Sequence, residues 1–154
     1  MQIDILTSNF DHPGLNDIKN YVHEDSSEPN LSLGIYDTVS DLRREGVLFL
    51  ISYQEKINLE DFYSYDHIIV FHASDLPKGR GWSPYIWDIL SGAETITVCA
   101  ISAAEKIDCG DVWAKTFFKV ARTDFLNDIL EKISNAQLEL LKRVVSMVNN
   151  CEFP

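Results

Sequence analysis

Two short apolar runs constrain this chain most. Val47-Leu48-Phe49-Leu50-Ile51 and His67-Ile68-Ile69-Val70-Phe71 are almost free of polar residues and rich in β-branched and aromatic side chains. That is the pattern of strands covered on both faces in a parallel sheet. Between them INLEDFYSYD supplies a brief helix, with Asn58 at its cap and Glu60 and Asp61 in its first turn, where negative charge suits the helix dipole. Together the three segments predict a βαβ unit and an α/β class.

The rest of the chain extends this unit. MQIDILT opens as a strand and meets the turn-like SNFDHPG; a helix is expected from Leu15 to His23, then a loop over EDSSEPN at 24–30. Ser32 to Tyr36 reads as extended and Thr38 to Glu45 as a short helix stopped by Gly46. Ser83-Pro84, a capping serine with proline at the first helical position, opens a helix through Leu90 that closes at Ser91-Gly92. Thr95 to Ile101 and Asp111 to Val120 read as antiparallel strands joined by the loop Ser102 to Gly110. A C-terminal amphipathic stretch follows, with Leu126, Ile129, Leu130, Ile133, Leu138, Leu141, Val144, Val145 and Val148 on one face. Thr123 and Asp124 cap its start, and Ser134-Asn135 marks a break into two helices. No repeat or linker divides residues 1–154, so one domain built on an open, mostly parallel sheet with flanking helices is expected.

Charge and cysteine usage remove several function classes. The chain carries 24 acidic against 13 basic residues, a net charge of −11, which repels nucleic acid. No run approaches the roughly 20 apolar residues of a membrane helix, and the amino end lacks the basic segment of a signal peptide; a cytoplasmic protein without membrane contact is expected. Cys99, Cys109 and Cys151 form no CxxC pair and leave one thiol over, against a disulfide framework or a structural zinc. The absence of GxGxxG and GxxxxGK[ST] removes the usual dinucleotide and P-loop readings.

In an open α/β sheet ligands bind outside the carboxyl ends of the strands, which directs attention to the segments after Phe71 and around Ser102 to Gly110. His72 ends a strand and leads into a polar loop with two glycines, where a histidine can act as a general base; a purely structural histidine is the alternative. Asp108-Cys109-Gly110-Asp111 is the second candidate. An aspartate beside His72 would fix its tautomer and support its charged form, although such a loop is also a common turn. His12, His23 and His67 read as structural or solvated. Trp87 and Trp113 read as core area, Trp82 in the polar loop as either core or ligand contact, and Arg43-Arg44 as a solvated helix face.

HASDLPKGRGWSP, followed by EKIDCGDVW, resembles the H-x-S-x-LP-x-x-RG and DxGD blocks of formyltransferases that use N10-formyltetrahydrofolate. The match is densest from Ile68 to Lys115. The resemblance implies a Rossmann-like formyltransferase fold and acyl transfer from the folate to an amine, without a metal. By position it makes His72 the catalytic histidine and Asp108 the catalytic aspartate, and puts Ser74, Leu76, Pro77, Arg80 and Gly81 on the loop walling the site. It further implies that Leu50, Tyr53, Leu76, Pro77, Ile107 and Gly110 contact the folate and that Arg80, Gly81 and Trp82 contact the acceptor. The family asparagine two residues before the histidine is here Val70. Losing one oxyanion donor can cost on the order of 100-fold in rate, so Ser74 or a backbone N–H is expected to substitute.

Methionyl-tRNA formyltransferases carry a further C-terminal barrel that grips tRNA; this sequence has none after its helix, and its charge disfavours tRNA. TSNFDHPG is also a poor match for the glycine-rich phosphate loop of glycinamide ribonucleotide enzymes. The GRGWSP loop looks most like small bacterial formyltransferases acting on amino sugars for surface polysaccharides. The expected partners are therefore a small-molecule amine, in first place an amino-sugar nucleotide, and the folate; a homodimer is compatible with this. The alternatives are a methionyl-tRNA formyltransferase-like activity, a formyl-folate hydrolase, or an impaired folate- or nucleotide-sugar-binding module.

Overall fold

The computed structural model describes residues 1–25 and 31–154, so the loop expected at 24–30 lies largely outside the described residues. The described strands form a mixed sheet of six, with flanking helices. The chain divides into two compact units, Met1–Val70 and Phe71–Pro154.

The first unit is parallel. Strand β1 (Gln2–Leu6) lies between β2 (Ser32–Tyr36) and β3 (Val47–Leu50), and β3 pairs in turn with β4 (His67–His72). All four residues of β3 are buried, as its uninterrupted apolar run requires. Leu6, Leu42, Leu48, Leu50, Phe62 and Tyr65 form one core cluster, with Tyr53, Ile68 and Val70 packed against it. Each fully buried aliphatic side chain of such a core contributes about 1.5–3 kcal/mol. Between β3 and β4 the expected helix is a single 3-10 turn, Leu59–Phe62, and the Asn58 side chain accepts from the Glu60 N–H as its cap.

Two expectations for this unit need correction. Helix α1 runs Gly14–Asn20 and continues as a π-helical turn, Tyr21–Asp25. The helix expected over Thr38–Glu45 is a 3-10 turn, Val39–Asp41, after which Leu42 is extended and Arg44 adopts a positive φ of 63°. The cause is Arg43. Far from lying on a solvated face, its Nε and Nη2 donate to Asp4 Oδ1 at 2.9 and 2.6 Å, its Nη1 to Ser32 Oγ and its backbone N–H to Asp4 Oδ2. Asp4 is fully buried, and the Tyr65 hydroxyl donates to it at 2.6 Å. Burial, and then that hydrogen bond, raise the Tyr65 hydroxyl well above its ordinary pKa.

His12 lies just before α1, and its Nδ1 accepts the Gly14 N–H at 3.2 Å. Burial lowers its pKa from the ordinary 6.5. The unfolded chain therefore takes up the proton first on acidification, so this histidine's contribution to stability is full above about pH 6.5 and declines as pH falls below it. Denaturation midpoints measured across pH 5–7.5 are expected to fall towards the acid end, with a shallower fall in His12→Asn, whose amide oxygen can still accept but does not titrate.

The second unit holds an antiparallel pair, β5 (Thr95–Ser102) and β6 (Val112–Lys119), in a register that sets Cys99 opposite Lys115. Helix α2 (Pro84–Leu90) starts with proline as expected, but Ser83 adopts φ 45° and its side chain makes no capping bond. Helix α3 is continuous over Leu126–Asn149. The expected break at Ser134-Asn135 is absent: Ser134 is buried between Ile133 and Ala136 on the packed face of the helix, and its hydroxyl is satisfied by the Leu130 carbonyl. The start is set by Asp128, which accepts the Phe125 N–H at 2.7 Å, while Asp124 accepts from Ala121 before the helix begins. Ile129, Ile133, Leu140, Leu141, Val144 and Val145 form the buried stripe, whereas Leu126 is exposed. From α3, Arg143 and Lys132 donate to the carbonyls of Lys115 and Lys119 on β6.

Candidate active site

The candidate site lies in the second unit, between the loop that leaves β4 and the loop that joins β5 to β6. His72 is the last residue of β4 and is 7% exposed. Its Nε2 lies 2.7 Å from the carbonyl of Gly79, an atom that can only accept, so Nε2 carries a hydrogen and donates it. Nδ1 is thereby left facing Asp108, whose Oδ1 stands 3.5 Å away. The other carboxylate oxygen accepts the N–H of Gly81 at 2.9 Å. Both side chains are only 8% exposed. At 3.5 Å the ring and carboxylate make an ion-pair distance rather than a tight hydrogen bond, a spacing that catalytic pairs often close when substrate binds.

Local backbone geometry makes this meeting feasible. Asp108 has φ 54°, a left-handed conformation in which aspartate is one of the better-tolerated side chains. Gly110 lies so close to β5 that a Cβ on it would stand 1.8 Å from the Ser102 carbonyl oxygen. No other residue fits that path without moving the loop. In the loop after β4, Gly79 has φ +67° and Gly81 φ +105°, and the Leu76–Pro77 peptide is cis.

Ser74 is 1% exposed and its hydroxyl donates to the Lys78 carbonyl at 2.8 Å. Its proton is spent inside the loop, so this hydroxyl braces the loop in place of the oxyanion-donating part expected of it. Cys99, a buried thiol pushed up in pKa by burial, donates to the Ser74 carbonyl. Leu76 is buried, whereas Trp82 and Ile107 are 71% and 60% exposed. Leu76, Pro77, Arg80, Asp108, Cys109, Gly110 and Val112 line a cleft of about 200 Å³. That is below the several hundred Å³ of a typical ligand pocket.

Leu50 and Tyr53 belong to the first unit. Leu50 is buried in its core cluster, and the Tyr53 hydroxyl donates to Glu55, with burial and that carboxylate raising its pKa. Val70 packs against the same cluster, so an aliphatic residue suits the position where the family carries asparagine. Sequence reasoning missed the Gly79 carbonyl and the Gly81 N–H, because backbone groups leave no trace in residue identity. It also missed Lys115, whose only signal was its place on the strand that follows the DxGD block. Among the described residues no cluster of metal-ligating side chains occurs, and no helix is long and apolar enough to cross a membrane.

No protein-family model matches the chain. The methionyl-tRNA formyltransferase of Malacoplasma penetrans is 29% identical over 86 residues, which cover 56% of this chain and 27% of that protein. The one from Bacillus licheniformis is 37% identical over 90 residues, covering 58% and 28%. The matched stretches thus cover only about a quarter of the length of these curated relatives. Among solved structures, methionyl-tRNA formyltransferase from Clostridium thermocellum superposes with a TM-score of 0.77 at 22% identity, covering 100% of this chain and 67% of that one. HypX from Aquifex aeolicus in complex with tetrahydrofolic acid gives 0.78 at 21% identity, covering 100% and 28%. WlaRD, a sugar 3N-formyl transferase solved in the presence of dTDP and 5-N-formyl-THF, gives 0.72 at 17% identity, covering 99% and 64%. The fold is therefore that of the formyltransferases. The chain's homologues are methionyl-tRNA formyltransferases, in keeping with the resemblance carried by its two motif blocks.

Proposed function

We propose that this chain is a formyltransferase catalytic domain that moves a formyl group from N10-formyltetrahydrofolate to a primary amine. The observation that carries the reading is the enclosed pair His72–Asp108, held 3.5 Å apart at the end of β4. The cleft beside Asp108 suits the donor's ring: Leu76, Pro77 and Val112 give it apolar walls, and Gly110 leaves main chain accessible at its rim. When bound, the folate supplies the formyl carbon; the new C–N bond forms as the bond from that carbon to N10 breaks.

His72 handles the proton. With Nε2–H committed to Gly79, Nδ1 is the ring atom able to take a proton from the amine and pass one on to the leaving nitrogen. Asp108 faces that same atom and stabilises the ring while it is charged. Arg80 and Trp82, both exposed on the loop, are the acceptor-side contacts of this reading. Holding the amine against the formyl carbon supplies much of the acceleration.

For the acceptor, an amino-sugar nucleotide is favoured by the likeness to a sugar 3N-formyl transferase, while the net charge of −11 weighs against a polyanionic tRNA. A methionyl-tRNA acceptor is the second reading, favoured by the names of the curated relatives. The test is mass spectrometry for a formyl gain on amino-sugar nucleotides and on methionyl-tRNA with N10-formyltetrahydrofolate present. Formyl gain on the sugar alone is expected. Release of formate without any acceptor would replace transfer with hydrolysis, and no turnover of the folate at all would defeat both.

A further inference from the structure

The loop that touches both His72 and Asp108 is itself held from β6. Lys115 Nζ donates to Asp75 Oδ1 at 2.7 Å and to the Leu76 carbonyl at 2.8 Å. Those two residues immediately precede the turn that brings the Gly79 carbonyl onto His72 and the Gly81 N–H onto Asp108. We propose that Lys115 is a positioning residue, anchoring the loop at Asp75 and Leu76 so that Gly79 and Gly81 fix the ring and the carboxylate in register; the catalytic part of this rests on the formyl-transfer reading above.

Three features support the assignment. The lysine bonds a main-chain carbonyl as well as a carboxylate, so it fixes the path of the loop and not merely a surface charge. The hydrogen bond from Lys115 holds the Asp75 carboxyl below its usual range, and the same bond raises Lys115, keeping both charged around neutrality. The pair is also well exposed, with side chains 38% and 62% accessible, and ion pairs of that kind add little to stability. Its effect is therefore expected in the geometry of the site and not in the melting temperature.

Lys115→Met is expected to lower kcat roughly ten- to a hundredfold, the scale of a small misplacement of reacting groups. Lys115→Arg keeps donors for both acceptors and is expected to recover most of kcat. A readout independent of turnover accompanies this: in ¹H–¹⁵N NMR, the Gly81 amide and the His72 Nε2–H should shift and exchange faster in Lys115→Met and return in Lys115→Arg. Asp75→Ala, which removes only the exposed half of the anchor, should move the same signals less, and it decides the matter if Lys115→Met folds poorly. Unchanged signals in both Lys115→Met and Asp75→Ala would overturn the assignment, as would an arginine variant as impaired as the methionine one. Should the wild-type protein transfer no formyl group, the functional reading fails while the NMR arms still decide the anchor.

Discussion

Formyl transfer by His72→Ala is expected to fall by roughly 10²–10⁴-fold, the usual worth of a positioned general acid–base group. The ring has one donor committed to Gly79 and one nitrogen facing Asp108, and the next imidazole along the chain, His67, sits at the opposite end of β4. Asp108→Asn should fall as well, by less. The amide still accepts the Gly81 N–H, but it no longer offers negative charge to a protonated ring. Steady-state rates with circular dichroism on each variant separate lost chemistry from lost structure. A His72→Ala protein that is folded and still fully active would remove the imidazole from the mechanism.

The largest effect on stability is expected at the opposite end of the chain. Arg43→Met should cost about 3–5 kcal/mol, the range found when one partner of a buried ion pair is removed. The carboxylate of Asp4 is fully inaccessible, and Arg43 supplies three of its hydrogen bonds, from Nε, Nη2 and the backbone N–H. Without the guanidinium that charge keeps only the Tyr65 hydroxyl, the Gln2 amide and the Arg43 main chain. Asp4→Asn should cost less, because it removes the charge rather than stranding it. Urea denaturation checks both through a lower midpoint at unchanged slope. A change below about 1 kcal/mol in Arg43→Met would mean that Asp4 regains water or a proton at small cost.

Much of the fold was legible because burial writes itself into sequence. VLFLI shows itself as the fully buried β3 and the threonine alternation of Thr95–Ile101 as β5, whereas HIIVF forms β4 but is half-buried, with only Ile69 and the following His72 buried. Element boundaries failed where tertiary contacts override local preference. Arg43 and Arg44 carry good helix propensity, yet the pull of Asp4 ends the turn at Asp41. Ser134-Asn135 looks like a break until the Ser134 hydroxyl is seen bonded inside the helix. In the candidate site His72 and Asp108 were nameable because strand ends and DxGD turns are visible in a string of letters. That the ring's second nitrogen answers a glycine carbonyl, or that a lysine on β6 steadies the loop, depends on main-chain paths that no residue type announces.

The bonds from Lys132 and Arg143 to the carbonyls of β6 bear on how the molecule behaves in a crowded solution. β6 is the terminal strand of the sheet, and unclaimed carbonyls along such a border invite a foreign strand to add on. Two of them are already taken by long cationic side chains. A docking strand would have to peel away both cations before zipping alongside, so this margin is guarded against runaway polymerisation by the helix that packs behind it.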